Sequence, residues 1–156
     1  MRKGMLFAVA SVCALALAAL GCGGSGGTDE VTAASISKGE YIREASAICE
    51  AGAKRKQTAY DVYAKEHEGA NAVSDAQRNR DLIEVMLAPN IEQEVEELRE
   101  LGAPKNDVDT IERMLRLREE TVTLAEEHPE TVFTNEPFEK SINAAKKYGL
   151  AACATP

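Results

Sequence analysis

Ser37-Lys38-Gly39-Glu40-Tyr41-Ile42-Arg43-Glu44-Ala45-Ser46-Ala47-Ile48-Cys49 opens on a hydroxyl and carries a carboxylate three residues later. This is a capping box: the serine oxygen accepts the third free backbone N–H of a helix, and the glutamate reaches back to the cap. From there Tyr41, Ile42, Ala45, Ile48, Cys49, Gly52, Ala59, Tyr60 and Tyr63 recur largely at helical spacing. The pattern predicts a first helix running to about Glu66, followed by a loop over Gly69 to Val73.

Downstream, the same grammar repeats. Ser74-Asp75-Ala76-Gln77 is a second capping signature. Leu82, Val85, Met86, Ile91, Val95, Leu98 and Leu101 supply the apolar positions of the helix it opens. Pro89 predicts a kink, because proline lacks the N–H donor and crowds the preceding turn; a break into two helices at Ala88 is the alternative. Gly102 ends the element and Pro104 blocks its continuation. Asn106 or Asp107 can cap a third helix with Ile111, Met114, Leu115, Val122 and Ala125 turned inward, stopped by His128-Pro129. Thr134 or Asn135 can cap a short fourth helix with Pro137 in its first turn. Phe138, Ile142, Ala145 and Leu150 form its apolar side, and Gly149 reads as its stop. No stretch alternates with period two for long enough to argue a strand. The expected fold is all-α, an up-down four-helix bundle over residues 37–156.

Composition agrees with close helix packing. Hydrophobic residues make up 44% of the 156, enough for a core, but aromatics are only 4% and tryptophan is absent, so that core rests on Ala, Leu, Ile and Val. The net charge is −8; taking away residues 1–21 removes Arg2 and Lys3 and no acid, which leaves −10. A chain of that sign repels phosphate backbones, and no nucleic-acid partner is expected.

Upstream of the helices the sequence reads as an address. Arg2 and Lys3 precede an almost uninterrupted apolar run from Met5 to Leu20. That run is short of the roughly 20 apolar residues a membrane span needs, and has the size of a secretory h-region. It ends in Leu17-Ala18-Ala19-Leu20-Gly21-Cys22, which resembles the lipobox of bacterial lipoproteins, with Ala19 standing where leucine is usual. The resemblance implies a signal peptide over 1–21 and a diacylglycerol thioether on Cys22. Ordinary secretion with cleavage near Ala19 or Gly21, and an uncleaved anchor, are the alternatives. Gly23-Gly24-Ser25-Gly26-Gly27 begins a segment, 22–36, with the composition of a flexible tether.

The cysteines sort accordingly. Cys13 leaves with the leader and Cys22 carries lipid, so Cys49 and Cys153 remain in an oxidising compartment, where a disulfide is the expectation and two free buried thiols the alternative. Helix geometry is compatible. Cys49 lies about 12 residues, or about 18 Å, into the first helix, and a fourth helix of about 13 residues descends only about 20 Å, ending near that level.

Ser37-Lys38-Gly39-Glu40-Tyr41-Ile42, Ala45-Ser46-Ala47-Ile48-Cys49, Glu97-Leu98-Arg99-Glu100-Leu101-Gly102-Ala103-Pro104 and Tyr148-Gly149-Leu150-Ala151-Ala152-Cys153 together resemble a group of small actinobacterial secreted or lipid-anchored helical proteins. The resemblance covers most of the chain after Cys22. It implies a helical domain with a Cys49–Cys153 bridge and an extracytoplasmic location, and says nothing about activity.

Residues able to do chemistry are sparse. Neither His67 nor His128 has a glutamate three positions before it, so the Glu-x-x-His pair of di-iron bundles is missing. His128 reads as a helix-terminus residue and His67 as a solvated loop residue. No serine lies in a Gly-x-Ser-x-Gly setting, and the only glycine-rich stretch has no phosphate-loop Lys-Ser/Thr after it. Glu92, Glu94, Glu96, Glu97 and Glu100 read as a solvated face, with Glu92, Glu96 and Glu100 in one stripe and Lys54, Arg55 and Lys56 available to neutralise it from a neighbouring helix. Tyr41, Tyr60, Tyr63 and Tyr148 could line a pocket, though packing with the hydroxyl at the rim is the commoner use. The sequence therefore predicts a non-enzymatic lipoprotein at the extracytoplasmic face of the cell membrane, without cofactor or metal. It would bind an envelope protein or other envelope component. A small-ligand or metal-binding lipoprotein and an enzyme of unfamiliar type are the alternatives.

Overall fold

The computed structural model describes residues 35–134 and 136–155. The expected leader 1–21, the expected lipidation site Cys22, nearly all of the expected tether 22–36 and the candidate cap Asn135 lie outside the described residues. Within them every regular element is helical, with α1 (Lys38–Glu66), α2 (Asp75–Leu82), a π turn (Ile83–Leu87), α3 (Ala88–Leu101), α4 (Val108–Glu127) and α5 (Glu139–Tyr148). Because the backbone stays helical through Ile83 and Leu87, α2, the π turn and α3 form one continuous helix. The fold is thus a four-helix bundle. α3 packs on α1, α4 on α3 and α5 on α4, and a 3-10 turn, Ala151–Cys153, returns to α1.

The two serine caps form as expected. Ser37 Oγ accepts the Glu40 amide at 3.2 Å and Ser74 Oγ the Gln77 amide at 3.2 Å. Glu40 does not complete the box in return; its carboxylate lies 3.9 Å from the Arg43 guanidinium. Gly102 and Gly149 end their helices at φ +74° and +102°, where a side chain would be strained. Asp107 stands at the start of α4 but its side chain caps nothing. Its carboxylate instead accepts the Tyr148 hydroxyl at 2.8 Å and faces the Lys38 ammonium at 3.7 Å. Lys38 also sits 4.2 Å over the Tyr148 ring, and that ring meets Tyr41 edge-on at 6.0 Å. One aspartate thereby links the start of α1, the start of α4 and the end of α5.

Three local expectations need correction. Pro89 neither sharply breaks the helix at Ala88 nor sits in an ordinary α-turn. The turn before it widens, with the Ala88 amide donating to the Ile83 carbonyl five residues back. A proline at 89 has no N–H to offer the preceding turn, and a π turn relieves the crowding of its ring. The widened turn keeps Leu82, Ile83 and Leu87 in the core and carries Val85, expected inside, to the surface. α5 starts later than anticipated: Thr134 Oγ1 accepts the Glu136 amide, Pro137 is buried ahead of the helix, and Phe138 is its first flanking residue.

Cys49 and Cys153 are joined by a disulfide, their Cα atoms 5.0 Å apart across 104 residues of chain. Both are buried in the main core with Tyr41, Ala45, Ile91, Leu115 and Phe138. The bridge fastens the last turn of the chain to the middle of the first helix.

Candidate functional site

Two surface grooves flank the π turn, one on each side of it. The first, about 760 Å³, runs between α1 and the α2–π segment and contains Lys54, Thr58, Val62, Glu66, Glu84 and Val85. The second, about 520 Å³, is lined by Lys56, Tyr60, Met86, Val132, Phe133 and Phe138. Adjacent residues of the π turn, Val85 and Met86, thus face different grooves.

A buried charged cluster joins α1, α3 and α4. Glu94 on α3 is 3% exposed and Arg118 on α4 6%. Arg118 Nε donates to Glu94 Oε1 at 3.1 Å, Nη2 faces Oε2 at 3.5 Å, and Nη1 donates to the Thr155 carbonyl at 3.0 Å. Such a forked pair is geometrically selective in a way that a lysine ammonium is not. Gly52 on α1 makes room for it: a Cβ there would stand 2.7 Å from Glu94 Oε2. Lys56, one turn further along α1, is also buried. Burial first, then the neighbouring Arg118 charge, push its amine down from 10.5 to about 8, against the opposing pull of Glu94.

The sign of that shift fixes a pH dependence. Lys56 binds its proton less tightly in the folded protein, so between pH 8 and 10.5 the unfolded chain holds more protons and this group's contribution to stability rises with pH. Tyr41 works the other way: burial, with Glu112 nearby, raises its phenol from 10.0 to about 12, and its contribution is lost as pH climbs through that window. The unfolding midpoint is expected to climb from about pH 8 to about pH 10 and then to fall. Lys56→Met should flatten the climb. A climb unchanged in Lys56→Met would assign it to another group.

Among the residues singled out by sequence, the structure brings together Cys49 with Cys153, Tyr41 with Tyr148 and Arg55 with Glu97. The tyrosines do not share a pocket. Tyr41 and Tyr148 meet at one end of the bundle, while Tyr60 lines the second groove. Tyr63 lines the first groove, stacks on His67 at 4.0 Å and donates its hydroxyl to Asp81 at 2.9 Å. His67 is therefore a half-buried helix cap, its Nδ1 2.9 Å from the Tyr63 carbonyl, rather than a solvated loop residue. His128 ends α4 as expected, with Glu130 3.5 Å away. Among the described residues no three His, Cys, Asp or Glu side chains cluster as metal ligands would. No helix there is long and apolar enough to cross a membrane.

The acidic run divides. Glu92, Glu96 and Glu100 are exposed as read, and Glu97 pairs with Arg55 at 3.4 Å. Glu94 and Lys56, however, are buried and belong to the internal cluster. Their positions carried a signal. Glu94 falls on the apolar face of Ile91, Val95 and Leu98, and Arg118 on that of Ile111, Met114 and Leu115. A charge on a core stripe needs a partner of opposite sign.

The chain matches no protein-family model, no curated protein and no solved structure.

Proposed function

We propose that the protein is a non-enzymatic binding or interaction module of the cell envelope, held at the extracytoplasmic face of the cell membrane by lipid on Cys22. The observation that carries the location is the Cys49–Cys153 disulfide in a domain that follows Leu20-Gly21-Cys22 by a short segment. A bond of this kind persists in oxidising compartments, which is where such a leader delivers a chain. The charged leader start, the apolar run and the lipobox-like ending support the anchor, as does the likeness to small actinobacterial lipid-anchored helical proteins. The binding role draws on the two grooves that remain open once the core is filled.

Metabolic labelling with a tagged fatty acid tests the anchor. The wild-type chain is expected to take up label and partition into detergent, and Cys22→Ala to take up none. A wild-type chain that stays unlabelled, or an equally labelled Cys22→Ala variant, would remove the anchor from this reading.

A further inference from the structure

The first groove has an order of charges that points to its occupant. Lys54, Thr58, Val62 and Glu66 are spaced four apart on α1 and so form one stripe along its surface. Val62 and Val85 are 53% and 49% exposed in the same groove, a large fraction for two neighbouring apolar side chains. Arg55 and Asp81 also line it but are engaged, with Glu97 and with Tyr63 and Gln77. The side chains of Lys54, Glu66 and Glu84 make no ion pair among the described residues. Along the α1 stripe this leaves an unmatched cation at one end, an unmatched carboxylate at the other and Val62 between.

Lys54 and Glu66 are separated by about 18 Å of helix, too far to satisfy each other. A second copy of the same stripe laid antiparallel satisfies both. Positions equidistant from residue 60 then face each other, so Lys54 of each copy meets Glu66 of the other and Thr58 meets Val62. A parallel arrangement would set like charges against each other. The antiparallel one has a two-fold axis, and every contact it makes is made twice.

We propose that this groove is a self-association surface, in which two copies of the chain pair antiparallel along α1 with Lys54 of each against Glu66 of the other. The proposal does not depend on the lipid anchor.

Carbodiimide cross-linking of the full chain, using a mixture of light and isotope-heavy protein, tests it. This reagent joins an amine and a carboxylate only when they touch. Lys54 cannot reach Glu66 of its own helix, so a link between them reports two copies. A dimer whose peptides carry a light–heavy Lys54–Glu66 link is the expected result. In parallel, light scattering on the purified full chain measures association without chemistry. Lys54→Glu and Glu66→Lys should each weaken it roughly tenfold, because two attractions become two repulsions, and K54E/E66K should restore it. These positions are on the surface, so the variants keep the fold. Absence of a dimer, a dimer linked elsewhere, linkage of Lys54 or Glu66 to a different protein, or equal association in all the variants would overturn the proposal.

Discussion

Cys49→Ser is expected to lower the free energy of unfolding by about 4 to 5 kcal/mol, and Cys153→Ser by the same amount. The bridge closes 104 residues of chain, and the chain-entropy model assigns a loop of that length a cost of this size to the unfolded state. Domains have about 5 to 15 kcal/mol of stability in all, so either change removes a large share. Because both substitutions break one bond, the double variant should be no worse than either alone. Denaturant titration under oxidising conditions measures all three. Losses that add across the two positions would contradict a single shared constraint.

Arg118→Met is the second large effect, expected to cost about 3 to 5 kcal/mol. It leaves the Glu94 carboxylate, 3% exposed, without its forked partner and strips the Thr155 carbonyl of its donor. Breaking one side of a buried pair costs far more than the pair itself contributes. Replacing both partners with apolar residues, Glu94→Leu with Arg118→Met, should therefore recover part of the loss. A single Arg118→Met variant within about 1 kcal/mol of wild type would show that Lys56 or entering water compensates Glu94 without Arg118.

These two constraints differ in how plainly the sequence announces them. The disulfide follows from counting: with Cys13 and Cys22 assigned, two cysteines remain, and helix lengths bring them to one level. The starts at Ser37 and Ser74 and the stops at Gly102 and Gly149 are equally legible, because a cap depends on residues within a few positions of itself. Asp107 shows where that logic ends. It has the chemistry of a cap, yet Tyr148, 41 residues away, takes its carboxylate, and only tertiary structure decides between the two uses. Pro89 announces a disturbance without saying which. The π turn accommodates the N–H that Pro89 lacks, as a kink would, and Val85 within it is exposed. Glu94 was hidden by its neighbours: four nearby glutamates read as a surface run, and the apolar face it shares with Ile91 and Leu98 outweighs them. The grooves were not readable at all, since each depends on how side chains from separate elements pack against one another.

The two halves of the functional reading have separate footing. The helical domain explains how a chain poor in aromatics holds together: one disulfide, one buried ion cluster and an Asp107–Tyr148–Lys38 link join elements that short loops alone would leave free to splay. The proposed placement at a membrane rests on residues upstream of that domain, and they can be examined directly. The measurement that does so is the intact mass of the protein purified from the membranes of an actinobacterial host, followed by fragmentation from its amino terminus. The account predicts a chain beginning at Cys22, heavier by a diacylglycerol thioether and lighter by two hydrogens for Cys49–Cys153. A chain that retains residues 1–21, or begins at or near Cys22 without lipid, would contradict it.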